Sequence, residues 1–461
     1  MQLPPALAEA ARASASPEAV GIALERAGAS IPGVLDQLEA EPRLAGAVTK
    51  VIAASRSLTR LIVNDKDAIG VVAAALLGQR PEVIDPRAAE SLEDIARRKQ
   101  LGLLYIATRD LVGLEGLEAI GEGLSRLADE VLDACGNAVA AGIDSNCPGA
   151  PVDMTGRGRE LPFAVIAMGK HGARELNYAS DVDIVFVGTD EERAVRRVVS
   201  LASTAFRIDT GLRPEGRSGV LVRSIDSYRR YWERWARPWE FQALIKARAA
   251  SGNPTIGASF AEAASEVLWR HHLDADALSE LRAMKARTEQ LVSARGLSSR
   301  EIKHGPGGIR DIEFSIQLLQ LVHGPADPEI RLPATLPALR ELARAGYVES
   351  GDAVVLSLAY RFFRTVEHRL QLVEQAQVHT VPDEPLARQA LSLGLDLSKA
   401  PRPGATARTG SRRSARAPVG SEGSVPAPGG SERSAPAPSP ASGMSPASGM
   451  SPGHLDRAGW E

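Results

Sequence analysis

The chain has 461 residues, 44% hydrophobic and only 4% aromatic, with a formal net charge of −3. That length allows one to three domains with cores of Ala, Leu, Val and Ile, and the near-balanced charge excludes a global pull toward nucleic acid or an acidic membrane. The opening MQLPPALAEAARASASPEAV lacks a basic stretch followed by an apolar core, and no apolar run approaches the roughly 20 residues of a membrane span, so a cytoplasmic protein is expected.

Residues 1–145 read as a helical region. In SLEDIARRKQLGLLYIATRDL, Leu92, Ile95, Leu103 and Ile106 recur at helical spacing, and Ser91 with Asp94 forms a candidate capping box. The basic cluster Arg97-Arg98-Lys99 is expected on a solvated helix face. Cys135 and Cys147 lie outside any CxxC or metal-ligand spacing and read as free thiols.

A break rich in Pro, Gly and Asp at Asn146–Arg159 opens a second unit, expected over 146–255. Phe163–Met168 and Asp183–Val187 read as short buried strands, Glu191–Ala205 as a helix, and Phe206–Asp209 and Gly219–Val222 as further strands. Helices return afterwards, and 256–399 reads as a helical bundle. Ile312, Ile316 and Leu319 form one stripe there, as do Val355, Phe362, Val366 and Leu370. Residues 400–461 consist mostly of Pro, Ala, Gly, Ser and Arg, including SGMSPASGMSP; without large apolar groups to offset ordering entropy, this tail is expected to be disordered. The fold class expected is α+β, mainly helical.

The chemistry concentrates in the second unit. Asp181 and Asp183 stand at i and i+2, so on a strand they present two carboxylates to one face. Such a pair calls for a hard divalent cation, with Mg²⁺ usual where phosphates are handled. Asp209, on a short β-like run, is a candidate third carboxylate or a plain turn residue. Gly169-Lys170 follows a strand, either as a backbone cradle with a phosphate-neutralising lysine or as an ordinary turn. Arg213 and Arg217 suit bidentate phosphate recognition or solvated loop positions equally. In KHGPGGIRDIEF, a glycine-rich turn leads into a helix N-terminus, with Lys303 and Arg310 adding positive charge and Asp311 placed to complement the helix dipole. His171 lies beside the glycine loop as a further candidate ligand contact.

Five ordered blocks carry a family resemblance: MGKHGARELNYASDVDIVF, DTGLRPEGRSGVLV, WEFQALIKAR, KHGPGGIRDIEF and YRFFRTVEHRLQL. Together they resemble the glutamine synthetase adenylyltransferase/adenylyl-removing enzyme family, within the polymerase β-like nucleotidyltransferase superfamily. The resemblance implies a polymerase β-like α/β unit followed by a helical bundle. It implies Asp181, Asp183 and Asp209 as metal ligands for Mg²⁺, and Gly169 and Ser180 as shapers of the nucleotide-phosphate pocket. The form of the motif is similar to the adenylyl-removing, N-terminal unit of that family. The implied reaction is phosphorolysis of adenylyl-tyrosine on glutamine synthetase to give ADP. Adenylylation from ATP, and an inactive module that binds glutamine synthetase or a PII-type signal protein, stand as alternatives. Glutamine synthetase, nucleotide and phosphate are the implied partners, with a PII-type protein as an additional candidate and no nucleic acid or membrane. The chain departs from the family in a short Asp183–Asp209 interval, in a resemblance that stops near residue 395, and in showing no second nucleotidyltransferase unit built on a motif like SDVDIVF. A truncated family member is therefore expected.

Overall fold

Two apolar strands set the centre of the molecule. In the computed structural model, which describes residues 3–142, 161–189, 191–270, 274–297 and 299–384, β1 (Phe163–Ala167) is buried throughout and pairs antiparallel with β2 (Val182–Gly188). β3 (Ile208–Asp209) and β4 (Val222–Arg223) both run parallel to β2, β3 against its start and β4 near its end. The predicted third and fourth strands thus share one edge of β2. β5 (Arg248–Gly252), which the sequence did not announce, pairs antiparallel with the other side of β1 and carries a bulge between Val165 and Ile166.

Strand alternation assigns the two faces of this sheet to different cores. Phe163, Val165, Ile184 and Phe186 pack with the N-terminal helices. Ala164, Ile166, Val185 and Val187 pack with Tyr228, Trp232 and Phe260 from the helices Ile225–Arg234 and Pro254–Arg270. The first core runs from Leu7 to Ala202 and includes Leu372, so the N-terminal helices and the sheet are packed as one body. The fold is α+β and mainly helical.

The helix Leu92–Val112 buries Leu92, Ile95, Leu103 and Ile106. The Ser91 hydroxyl accepts from the Asp94 amide at 3.1 Å, while the Asp94 carboxylate accepts from Glu90 at 3.2 Å, one residue before the usual capping-box donor. The Arg97-Arg98-Lys99 cluster is not a solvated face. Arg97 pairs with Asp65 at 2.7 Å, Arg98 pairs with Asp94 at 2.6 Å, and Lys99 is buried with its ammonium 4.6 Å from the Phe206 ring centroid. Long aliphatic stems let these charges reach inward to partners or an aromatic face.

Helix Ile309–His323 buries Ile312 and Ile316, with Leu319 packed beside them. The long helix Ser350–Glu374 departs from its predicted stripe. Val366 and Leu370 are buried and Phe362 flanks them, but Val355 is 43% exposed. Its most deeply buried side chains include Tyr360, Arg364, Glu367, His368 and Gln371. That face is polar because it packs on the site described below rather than on an apolar neighbour.

Cys135 is a buried free thiol, its pKa pushed by burial up to about 12. Cys147, the break at Asn146–Arg159 and the expected tail at 400–461 lie outside the described residues. Among the described residues, no helix is long and apolar enough to cross a membrane.

Candidate active site

The parallel register of β2 and β3 places Asp183 directly opposite Asp209. The short connection holds one helix, Glu192–Ala202, and a turn, and still delivers Asp209 to that position. Asp181 stands two residues before Asp183. Burial raises the pKa of Asp183 to about 7, and the neighbouring charges of Asp209 and Asp181 add to the rise against the opposing pull of Lys170 and Lys303. Asp183 therefore feels the charge of both other carboxylates.

The outer two carboxylates are engaged elsewhere. Asp181 forms a bidentate pair with Arg207, whose Nη2 lies 2.9 Å from Oδ2. Asp209 Oδ1 accepts from the Gly211 amide at 2.6 Å. Among the described residues, no three His, Cys, Asp or Glu side chains meet in a ready-made metal-binding group. The backbone brings the aspartates together, while two side chains are drawn aside by these contacts.

Gly169 is fitted to this site. Its φ is +52°, and an added Cβ would stand 2.7 Å from Asp183 Oδ2, so only glycine leaves the carboxylate its room. Lys170 lies 3.5 Å from Glu367 Oε1. Ser180 uses its hydroxyl oxygen within the loop, accepting from the Asn177 amide at 3.2 Å.

Several candidates take other roles. Arg213 is buried and fully used in closing its own loop: it donates to the carbonyls of Thr210, Arg217 and Gly219 at 2.7, 2.8 and 3.0 Å, and to the Thr210 hydroxyl at 2.8 Å. It staples the 210–219 turn instead of presenting a free fork for phosphate. Arg217 supplies one of those carbonyls. His171 is buried against Asp129 at 2.7 Å, where Arg248 also binds, and so ties the glycine loop to helix Leu117–Ala140. The amides of the GPGG turn, expected as an anion cradle, are also consumed. Gly305 donates to Glu301 at 2.7 Å, Gly307 to Asp311 at 2.8 Å, Gly308 to Gly305 O, Ile309 to Ile302 O and Arg310 to Lys303 O, the last three at 2.9 Å. Any anion binding there rests on the side chains of Lys303 and Arg310.

The residues missed by sequence reasoning form a buried polar network linking four of the motif blocks. Glu175 accepts from Lys246 at 3.0 Å, from the Thr335 amide at 2.6 Å and from its hydroxyl at 3.0 Å. Tyr360 donates to Glu313 at 3.1 Å and accepts from Arg364 at 2.7 Å. Arg364 also donates to the carbonyl of Glu175 at 2.7 Å and to Asn177 Oδ1. Gln371 accepts from the Ala179 amide at 3.1 Å, and Tyr178 donates to Asp110 at 2.9 Å, where Arg369 also binds. Burial pushes the Glu313 pKa up, but Lys246, Lys170, Arg310 and Arg364 outweigh it and bring it to about 2. The loop leading to Asp181 and Asp183 is thus fixed from the long helix. The available signal was charged and amide side chains recurring at i, i+3 and i+4 within otherwise apolar helices, at Arg364, Glu367, His368 and Gln371.

Comparison with known proteins bears on the family. The family model described as Glutamate-ammonia ligase adenylyltransferase matches residues 45–202 and 195–263. A second model, GlnD PII-uridylyltransferase, matches residues 280–410. The chain is 50% identical over 226 residues to the bifunctional glutamine synthetase adenylyltransferase/adenylyl-removing enzyme of Mycobacterium avium, covering 48% of this chain and 22% of the relative. The enzymes of that name from Streptomyces avermitilis and Cutibacterium acnes are 42% and 40% identical, over 64% and 65% of this chain and 30% and 32% of the relatives. The chain spans between a fifth and a third of the length of these relatives. On these matches and the ordered motifs, the chain belongs to the glutamine synthetase adenylyltransferase/adenylyl-removing enzyme family.

Proposed function

We propose that this chain performs metal-dependent nucleotidyl transfer on glutamine synthetase, in the direction that removes AMP from the adenylylated tyrosine. The observation that carries the reading is the register of β2 and β3, which sets Asp209 opposite Asp183 with Asp181 two residues earlier. The donor set suits Mg²⁺: three carboxylates are hard oxygen ligands, and the pKa of Asp183, raised first by burial, is raised further by the charges of Asp209 and Asp181, which a cation would neutralise. Asp181, Asp183 and Asp209 would hold it, with Asp181 leaving Arg207 to do so. When bound, such ions stabilise the attacking and departing oxygens of an in-line displacement.

In the proposed reaction a phosphate oxygen attacks the phosphorus of the tyrosyl-AMP ester. The bond from that phosphorus to the tyrosyl oxygen breaks. The products are ADP and a phenolate that takes up a proton to restore tyrosine. Gly169 lets the backbone come close to the reacting groups, and the network around Arg364 holds the loop that delivers the aspartates.

The test is to incubate the chain with adenylylated glutamine synthetase, Mg²⁺ and phosphate. ADP release with matching loss of adenylyl groups supports the reading. Attachment of adenylyl groups from ATP, with no ADP formed from phosphate, overturns the direction.

A further inference from the structure

Where β3 ends at Asp209, an open groove of about 610 Å³ begins at Thr210. One wall is helix Glu192–Ala202, with Arg196, Val199 and Ser200. The other is the 210–221 loop, with Thr210, Arg217 and Val220. The loop wall is preformed. Arg213 at its base donates to the carbonyls of Thr210, Arg217 and Gly219, which fixes the backbone on both sides of the turn. The Glu215 amide donates to the Tyr231 hydroxyl at 3.4 Å, and Arg223 pairs with Glu215 at 2.9 Å, so the turn is tied to helix Ile225–Arg234. A wall held in this way binds with little further ordering cost.

The surface of the groove is exposed and cationic. Val220 is 52% exposed, and the Arg196 side chain is 68% exposed. Three lining arginines stand against one lining carboxylate, Glu192, which is paired with Arg196. Arg217 is exposed, and among the described residues no carboxylate forms an ion pair with it or with Arg213. Small-molecule sites enclose most of their ligand, whereas these walls stay open to solvent. Arginine beside an exposed apolar side chain is the make-up of a protein contact surface, and its excess positive charge selects an acidic partner.

The sheet order puts β1 and β3 on opposite sides of β2. Gly169, which follows β1, therefore stands on one side of Asp183, and Thr210, which follows β3, on the other. An in-line displacement has its incoming and departing oxygens on opposite sides of the phosphorus. With Gly169 on the β1 side, the β3 side falls to the departing tyrosine and the polypeptide that bears it. We infer that this groove docks an acidic polypeptide segment of the protein substrate, next to the tyrosine that carries the adenylyl group. The inference deepens the proposed reaction and rests on it for the identity of that substrate. Arg217 and Val220 act as docking residues and take no part in the chemistry.

The test measures binding of the full chain to adenylylated glutamine synthetase by biolayer interferometry, without Mg²⁺ or phosphate so that nothing turns over. ADP formation is then measured with both present. The variants are Arg217→Glu, Arg217→Lys and Val220→Ser. Only the carbonyl of Arg217 serves the loop and its side chain is exposed, so melting temperatures are expected to stay near that of wild type. Wild type is expected to bind, with affinity about tenfold weaker in Arg217→Glu, about threefold weaker in Val220→Ser and largely kept in Arg217→Lys. In turnover, KM is expected to rise in step with Kd while kcat changes less than about twofold, and added salt is expected to weaken wild type more than Arg217→Glu. Equal affinities of folded wild type and Arg217→Glu, or ADP formation by Arg217→Glu at the wild-type KM, would overturn the groove and leave the proposed reaction standing. Binding that depends on Arg217 with no ADP formed contradicts the proposed reaction and leaves the groove standing.

Discussion

Arg364 donates to the carbonyl of Glu175 at 2.7 Å and to Asn177 Oδ1, so a helix nearly two hundred residues downstream fixes the loop that ends in Asp181 and Asp183. This guanidinium is 1% exposed and also binds Tyr360 and Glu367. Replacing it leaves buried Glu367 with only Lys170 and His379, and Asn177 Oδ1 with only His368. Removal of one member of a buried ionic network typically costs about 3–5 kcal/mol. Arg364→Met is expected to lose stability on that scale in urea unfolding, with Arg364→Lys intermediate. A loss below about 1 kcal/mol would show that the clamp is not rigidly coupled to the fold.

Lys99 gives the fold a pH dependence. Its folded pKa is lowered by burial to about 8 from the ordinary 10.5. Between those values the unfolded chain holds the proton and the folded chain does not, so this group makes stability rise with pH through that window. Below about pH 8 the full penalty applies, on the order of 3 kcal/mol. Lys99→Met is therefore expected to be the more stable protein at pH 7, with its advantage shrinking toward pH 10.5. Chemical denaturation across that range checks this, and a pH-independent difference contradicts it.

Much of the site is legible in the amino-acid sequence. β1 and β2 announce themselves as apolar runs, and the i, i+2 spacing marks Asp181 and Asp183. Other features depend on partners distant in sequence. Strand β5, Arg-Ala-Ala-Ser-Gly, has small residues and no apolar alternation; only pairing with β1 makes it a strand. Arg213 reads equally as an anion ligand or a solvated loop charge, because nothing local shows that four acceptors in its own loop surround it. The helix Ser350–Glu374 misleads hydrophobic periodicity, since the face that packs on the site carries Arg364, Glu367, His368 and Gln371, while Val355 faces outward.

Gly169→Ala tests the close approach to Asp183. The residue has φ +52°, and the new Cβ would lie 2.7 Å from the carboxylate oxygen. The left-handed conformation alone costs a non-glycine residue about 1–2 kcal/mol. The variant is expected to lose adenylyl-removing activity by more than tenfold while staying folded by circular dichroism. Wild-type activity would show that the backbone approach is not required.

Arg207 competes for Asp181. Its side chain is 60% exposed, so the pair is weak, worth up to about 1 kcal/mol. Arg207→Gln frees the carboxylate and is expected to lower the Mg²⁺ concentration giving half-maximal activity by up to about fivefold. A rise in that concentration would mean that Arg207 helps to build the metal site.

The central claim is that Asp181, Asp183 and Asp209 form one catalytic site, and it is tested most directly by ADP formation from adenylylated glutamine synthetase and phosphate. The doubly substituted Asp181→Asn/Asp183→Asn chain is compared with wild type under saturating Mg²⁺. Substitution removes charge from a crowded position, so the variant is expected to fold. The account predicts a rate lower by about a thousandfold or more. Equal rates for the two proteins would contradict it.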